Sequence, residues 1–484
     1  MIAEQGGPKG GLEGALIAAL GADRVLSDPD DLAYYGSDRC RGGWPVRPSL
    51  IALPGSIAEI QAVVRACAAA GVPIVPSGGR TGLAGAATAT AGEVVLSLAR
   101  MNRILEVDRA ARTLRSEAGV TLQAVQEAAA AVGLMYPVDY AAKGSAQIGG
   151  SVATNAGGVK VIRHGLTREW VSGLTVVIAS GEVLALGGAL VKNNTGYDLR
   201  QLFIGAEGTL GVIAEVTLRL CEPPGDALVA LAALPGDAAV LDLFGRLRAG
   251  GLTLSAFECL DHGCVRRVLE HRGQGPGDAP FPEAHPVYVL CEVEAPAGGG
   301  PEAIERAHEA VMDRLGAAQE DGVITDAVVA GTPAQARALW GLREEISESL
   351  HRSTPFKADI ALPVAAVARF LAEFRPAVAA HLPEIECLIF GHIGDGNLHL
   401  NLLRPDGAEL ADFLARCHGF EDPLFSLVQV HGGSISAEHG VGLLKRDHLH
   451  YSRSATEVAI MRGIKAVLDP GGLFNPGKIF PAAE

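Results

Sequence analysis

The sequence predicts an α+β protein of two or three domains, and three observations carry that prediction. A chain of 484 residues is longer than one ordinary core supports, since single domains usually run to ~100–200 residues. Apolar residues make up 48% and charged residues 20%, the balance of a globular chain and not of a disordered one. Hydrophobic spacing alternates between the helical and the strand period, and composition shifts at Glu222-Pro223-Pro224-Gly225, which reads as a domain boundary.

The first unit covers residues 56–76. Ser56 and Glu59 have capping-box spacing, a helix follows through Ala70, Gly71 stops it, and Val72–Val75 reads as a strand. A second unit has a strand over Thr113–Ala118, a helix capped by Thr121 that runs through Val132, and Gly133 as its stop. Residues 174–186 read as a hairpin turning at Ser180-Gly181, and Gly211–Leu218 as a further strand. Beyond the boundary, strands at 228–234, 287–293, 386–392 and 397–403 alternate with helices at about 301–315, 334–352, 364–380 and 409–430. That order suits an antiparallel sheet packed against helices. His271–Pro286, with four Pro and three Gly, reads as a flexible excursion, and no internal repeat is visible.

Charge and hydropathy narrow the function. With 40 Lys+Arg against 55 Asp+Glu the net charge is −15, and no basic stripe interleaves with aromatics, so a nucleic-acid surface is not expected. No stretch approaches the ~18 apolar residues of a membrane span. The opening residues lack a basic start followed by an apolar core, so no secretory signal is expected. Eight cysteines (40, 67, 221, 259, 264, 291, 387 and 417) are scattered without a Cys-x-x-Cys pair, which suits reduced thiols and a cytoplasmic location.

The 61 glycines cluster, as backbone packed against a large ligand requires. No Gly-x-Gly-x-x-Gly follows a strand, and the P-loop-like Gly472–Ile479 carries Ile where a magnesium-binding hydroxyl belongs. Three other segments fit better. Pro76-Ser77-Gly78-Gly79-Arg80-Thr81-Gly82-Leu83-Ala84-Gly85 can offer successive amides and hydroxyls to a phosphate. A longer stretch holds Pro137, Asp139, Gly144, Ser145, Ile148, Gly149, Gly150, Thr154, Asn155, Gly157 and Gly158, rich in small and uncharged polar residues that can lie flat along an extended cofactor. The third runs through Glu207, Gly211 and Ile213. As a set these resemble the flavin-binding domain of the vanillyl-alcohol oxidase/p-cresol methylhydroxylase superfamily. The resemblance implies that the first loop cradles the FAD pyrophosphate and that the other two line the rest of the cofactor. Some members attach FAD through a His in the first loop; here Gly79-Arg80-Thr81-Gly82 has none, so FAD is expected to be non-covalent.

Further on, His392 and His399 flank the turn signal Gly394-Asp395-Gly396-Asn397. With a four-residue loop, Ile393 pairs with Leu398 and His392 directly faces His399, so both imidazoles and Asn401 share one sheet face. Such a pair can hand two nitrogens to a metal ion or simply bond to each other. Glu438-His439 follows, flanked by glycines, with its side chains projecting in different directions. Together these residues resemble the D-2-hydroxyacid dehydrogenase branch of the superfamily, whose members act on D-2-hydroxyglutarate, D-lactate or glycolate. The resemblance implies that His392, His399 and Glu438 bind a divalent metal, usually zinc, and that His439 is the catalytic base. Manganese and iron also suit two His and a carboxylate. The closing Phe474-Asn475-Pro476-Gly477-Lys478 matches the branch, with Asn475 toward the cofactor.

The same resemblance sets the expected architecture. Residues 1–222 form a two-part FAD-binding domain of the vanillyl-alcohol oxidase type, with parts of about 1–110 and 111–222. Residues 223–430 form an antiparallel-sheet, ferredoxin-like α+β substrate cap, and 431–484 a C-terminal helical return that completes the active site. Arg343 and Ser347, four apart on one helix, with Lys357 and Asn401, match the positions that hold the substrate. A small hydroxyl and an extra cation favour a dicarboxylate, so D-2-hydroxyglutarate is expected ahead of D-lactate or glycolate. No haem or iron–sulfur segment is present, so electrons are expected to leave to an external quinone or electron-transfer flavoprotein, and a homodimer is the default expectation.

Overall fold

The computed structural model of the chain describes residues 8–40, 43–295 and 300–481; the first seven residues, part of the segment read for a secretory signal, lie outside them. Two compact units result. One takes the chain up to Gly157, Leu166–Glu222 and the chain from Glu438 on; the other takes Gly158–Gly165 and Pro223–Ala437.

In the first unit, β1 (Val25–Leu26), β2 (Leu50–Ala52), β3 (Ile74–Ser77) and β4 (Val94–Ser97) form a sheet in the order β1-β2-β4-β3, with β2, β4 and β3 parallel. The helix Ile57–Ala70 supplies the crossover between β2 and β3. Ser56 Oγ accepts from Glu59 N at 3.3 Å, but the other half of the capping box is displaced. The Glu59 carboxylate takes the Gly55 amide and Arg24 instead. Ser77 closes β3, which puts the first Gly-rich loop at the carboxyl end of a parallel strand, where open α/β sheets bind ligands.

A second, antiparallel sheet contains β5 (Ile104–Asp108), β6 (Thr113–Glu117), β7 (Val171–Val177), β8 (Val183–Gly187) and β9 (Val212–Arg219) in the order β5-β6-β9-β7-β8. The changeover between sheets falls between Ser97 and Ile104, before the expected point near 110, because Ile104–Asp108 folds back locally on β6. One continuous core runs from Leu16 and Ile60 through Leu96 to Val125, Ile148 and Val216.

The second unit is built on a seven-stranded antiparallel sheet. Its strands are β10 (Ala227–Leu234), β11 (Thr253–Asp261), β12 (Val287–Glu294), β13 (Asp326–Val329), β14 (Phe356–Ala361), β15 (Cys387–Gly391) and β16 (Asn397–Leu402). They lie in the order β13-β10-β12-β11-β15-β16-β14. One face of this sheet buries Leu231, Leu260, Leu290 and Phe390 against Val265, Leu339, Leu342 and Ile346 from the helices.

Several sequence expectations need correction here. The helix at 334–352 is two, Pro333–Glu344 and Ile346–Ser349, interrupted at Glu345, whose carboxylate is clasped by Arg272 at 2.7 and 2.8 Å. The helix at 409–430 breaks at Phe420, because Pro423 has no N–H to offer the Gly419 carbonyl. His271–Pro286 is anchored and not loose: Phe281 is buried and stacks on Tyr288, and His285 N donates to the Tyr288 hydroxyl at 3.0 Å. The return to the first unit begins at Glu438, not at 431, since Ser434 bridges Ala361 and Ala437 N donates to Asp359 Oδ2 at 3.2 Å. Gly158–Gly165 leaves the first unit because Lys160 and Arg163 pair with the buried Glu292 and Glu294 of β12.

Candidate active site

In the first unit the Gly-rich segments converge. A Cβ on Gly79 would stand 2.0 Å from Ser145 O, so only glycine lets the loop after β3 lie directly on the second segment. Ile148, Gly149 and Gly150 open the helix Ile148–Ala153, Thr154 Oγ1 donates to Gly150 O, and Gly211 and Ile213 are buried around the start of β9. Asp139 is occupied by Lys143 and Gln126. Gly85 packs against Trp44 and Leu443, while Gly157 ends its stretch of this unit and Gly158 falls in the other.

Four non-glycine residues here adopt positive φ, one in each of the three Gly-rich segments and one in the closing motif: Arg80 at 55°, Asn155 at 49°, Glu207 at 50° and Asn475 at 46°. Each conformation costs on the order of 1 kcal/mol or more, which the surroundings must hold in place. Asn475 Nδ2 bridges Ala86 O and Glu207 O. Arg80 lays its guanidinium 4.3 and 4.7 Å from the ring centroids of Tyr34 and Tyr35, so the loop offers a ligand its amides more than this charge. Ser77 Oγ, Gln147 Oε1 and Asn475 Oδ1 are buried without a hydrogen-bond partner among the described residues. Unfilled buried polar atoms beside a glycine cradle fit a long polar cofactor such as FAD.

Glu438 and His439 belong to this same unit and are half-buried. Tyr140 bonds Ser151 at 2.5 Å, and its phenol is pushed up to about 12, chiefly by burial, with the charges of Asp139 and Glu438 adding to it. Glu438 thus stands within electrostatic reach of the second Gly-rich segment.

The second unit gathers a different set on one sheet face. Across β14, β16 and β15 the register places Lys357, Asn401 and Leu388 in one row and Asp359, His399 and Phe390 in the next, with Leu260 of β11 beside Phe390. His399 therefore faces Phe390, not His392, which corrects the four-residue loop. Gly391 is tight against Asn397 O, and His392 O accepts the amides of Asp395 and Asn397, so the turn is longer. The rings of His392 and His399 still meet edge to face, with centroids 5.3 Å apart, and one nitrogen from each lies within 4.8 Å of the other.

Each imidazole is oriented by a buried carboxylate. His392 Nδ1 donates to Glu258 Oε1 at 2.8 Å, and His399 Nδ1 lies 3.2 Å from Asp359 Oδ1. A carboxylate on Nδ1 selects the tautomer whose lone pair sits on Nε2, the arrangement that prepares histidines to bind a metal. Burial drives the His399 imidazole down to about 4, outweighing the pull of Asp359, so it is neutral at physiological pH. Burial opposes the Glu258 charge, but His392 and Arg343 beside it outweigh burial and hold its carboxyl at about 2. Arg343 Nε donates to Glu258 Oε2 at 2.7 Å, and its guanidinium lies 4.8 Å from the Phe390 ring centroid. Asn401 Nδ2 donates to His399 O. Ser347, across the helix interruption, is exposed while Arg343 is buried, so the two do not continue one helical stripe.

Glu258 and Asp359 are the residues that sequence reasoning missed. Both sit on strands that were not foreseen. The available signal was a single acid inside an otherwise apolar alternation, Ala256-Phe257-Glu258-Cys259-Leu260.

The parallel-strand loop, the glycine cradle and the imidazole-bearing sheet together define a flavoprotein of the FAD-linked oxidase class. Residues 48–187 match the family described as FAD binding domain, and residues 224–479 match that described as FAD linked oxidases, C-terminal domain. The chain is 50% identical to a D-2-hydroxyglutarate dehydrogenase of Xanthomonas citri pv. viticola over 96% of both chains. It is 46% identical to one of Stutzerimonas stutzeri, covering 95% of this chain and 96% of that one. It is 38% identical to the mitochondrial enzyme of Bos taurus, covering 95% of this chain and 81% of that one. Solved structures share the fold: p-cresol methylhydroxylase with a TM-score of 0.77 at 17% identity over 99% of this chain and 98% of that one, and 4-ethylphenol oxidase from Gulosibacter chungangensis with 0.76 at 19% over 99% of both. The chain belongs to the FAD-linked oxidases and, among them, to the D-2-hydroxyglutarate dehydrogenase family.

Proposed function

We infer that this chain oxidises D-2-hydroxyglutarate to 2-oxoglutarate, with non-covalent FAD and a divalent metal as its cofactors. The observation that carries the reading is the sheet face on which Lys357 and Asn401 stand beside two carboxylate-anchored imidazoles, with Arg343 reaching it from the helix Pro333–Glu344. Cations next to a pair of imidazole nitrogens suit a substrate with two carboxylates and one hydroxyl, and the names of the relatives point the same way.

Glu438 is proposed as the third metal ligand, with His392 and His399. Chain continuity supports it: Ala437, the residue before it, is bonded to Asp359, the carboxylate that holds His399, and the next Cα is only about 3.8 Å further on. Two imidazoles and a carboxylate suit zinc, manganese or iron. When bound, the metal supplies a Lewis acid for the substrate hydroxyl, and FAD supplies the acceptor for the hydride that leaves C2.

The chain's own residues do the rest. Arg343, with Nε committed to Glu258, turns its remaining N–H edge to a carboxylate, and Lys357 and Asn401 hold the substrate along their shared row. Ser347 is proposed to contribute a small hydroxyl that leaves room for the longer diacid. His439 removes the hydroxyl proton as C2 gives up its hydride, so two electrons and two hydrogens leave the substrate together. An external carrier, a quinone or an electron-transfer flavoprotein, then takes the electrons.

The test is an anaerobic visible titration of the metal-replete flavoprotein with D-2-hydroxyglutarate and, separately, D-lactate. The flavin band bleaches at far lower concentration with the five-carbon diacid. Preferential bleaching by D-lactate would overturn the substrate assignment, and no bleaching by either acid would overturn the dehydrogenase reading.

A further inference from the structure

We propose that Glu207 is a positioning residue for the base at 439: its carboxylate fixes the turn Gly440-Val441-Gly442 and thereby sets where the adjoining imidazole stands. The proposal rests on the reading of His439 as the base.

Glu207 is 5% exposed and belongs to the same unit as residues 438–484. Its Oε1 accepts the Val441 amide at 2.7 Å and its Oε2 the Gly442 amide at 2.8 Å. Two adjacent N–H groups need two acceptor oxygens side by side, and among the side chains only a carboxylate offers them. The contact is close on a second count. A Cβ at Gly440 would lie 2.9 Å from Glu207 Cδ, and its φ of +80° suits glycine.

The other side of the turn is equally confined. A Cβ on Gly442 would meet Ala84 O at 2.1 Å, the Leu443 and Leu444 amides both reach Ala84 O, and Ile479 N donates to Gly442 O. The turn that follows His439 is thus clamped between Glu207 and the first Gly-rich loop. Glu207 is itself pinned at both backbone ends, by Ala153 O on its amide and by Asn475 Nδ2 on its carbonyl. One residue therefore ties the segments around the cofactor to the turn beside the base. Its side chain is consumed in doing so and is not left for the cofactor.

The experiment uses the full-length FAD-loaded protein with Glu207→Gln, Glu207→Asp, His439→Ala and the double variant Glu207→Gln/His439→Ala. Flavin content, reduction by dithionite and stopped-flow reduction by D-2-hydroxyglutarate are measured. Glu207→Gln is expected to keep its flavin and its dithionite reduction while substrate-driven reduction slows at least tenfold at saturation, with half-saturation changed less than twofold. In the His439→Ala background the same change lowers the residual rate by less than twofold. Glu207→Asp, which keeps the charge but is one methylene too short to reach both amides, shows the same pattern and serves if the Gln variant does not fold. A wild-type rate in the Glu207 variants, a full tenfold loss in the double variant, or loss of FAD from both single Glu207 variants overturns the proposal. A wild-type rate in His439→Ala alone overturns the base reading instead.

Discussion

Replacing Glu258 by Ala removes the carboxylate that both His392 and Arg343 lean on. The side chain is 1% exposed and carries two charge-assisted bonds, 2.8 Å to His392 and 2.7 Å to Arg343. At 2.7 Å and an effective dielectric near 20, its attraction to Arg343 is on the order of 6 kcal/mol, part of which offsets the burial of both ions. Truncation leaves the buried guanidinium without a counter-charge, and losing one partner of such a pair costs about 3–5 kcal/mol. Glu258→Gln keeps the shape and an acceptor but not the charge, so its cost is smaller, about 1.5–3 kcal/mol. Thermal unfolding of the FAD-loaded protein checks this: the midpoint of the transition that reports the second unit falls by roughly 6–20 °C for Ala and by less for Gln. Metal retained against a chelator falls about 10–100-fold in the Ala variant, since His392 loses the group that orients it. An Ala midpoint within about 2 °C of wild type, or a Gln variant as stable as wild type, would refute the claim that a buried charge holds this side of the site.

Asp359→Asn should keep one side-chain oxygen as an acceptor for Ala437 while no longer holding His399 with a charge. Metal content after chelator competition is expected to drop about 10–100-fold, and unchanged metal affinity would argue against His399 as a ligand. Gly79→Ala drives a methyl into the Ser145 carbonyl, 2.0 Å away, an overpacking worth roughly 1–3 kcal/mol or more, and purified protein should come out with its flavin band largely lost; a yellow, fully loaded variant contradicts the cradle. Burial raises the Glu207 carboxyl to about 7, against the pull of the Val441 and Gly442 amides and of Lys445. Because the folded state holds this proton more tightly, the contribution to stability is full below about 4.5, declines as pH rises, and is lost above 7, a difference of roughly 3 kcal/mol. Subtracting the Glu207→Gln stability profile from that of wild type between about pH 4 and 8 isolates this slope, and a flat difference would contradict it.

What the sequence made legible was local. Ser56, Gly71, Thr121 and Gly133 bound their helices as expected because caps and stops act over three or four residues. The Gly-rich segments stood out for the same reason, as local runs of composition, and the structure brings them together in the first unit. The strands β11, β13 and β14 were not, since their partners lie far along the chain and Asp359 looks like any acid until β16 lies beside it. The departure of Gly158–Gly165 from the first unit depends on Lys160 and Arg163 meeting acids more than 130 residues away, which no local pattern encodes.

The histidine hairpin separates a robust inference from a fragile one. The predicted register set His392 opposite His399, whereas the ladder sets Phe390 there, a slip of two residues. Side chains alternate faces with a period of two, so an even slip keeps His392 on the face of His399, while a slip of one would have sent it through the sheet. Shared face therefore survived an error in loop length that direct opposition could not survive. The longer turn also explains why the site needs β11. With His392 beyond the last β15–β16 pair, its own hairpin cannot fix the ring. The β11–β15 ladder, which pairs Leu260 with Phe390 and Cys259 with Gly391, brings Glu258 next in line to His392. Orientation of that imidazole thus comes from a strand 134 residues earlier in the chain, and a search for ligand-spaced histidines alone would never have found it.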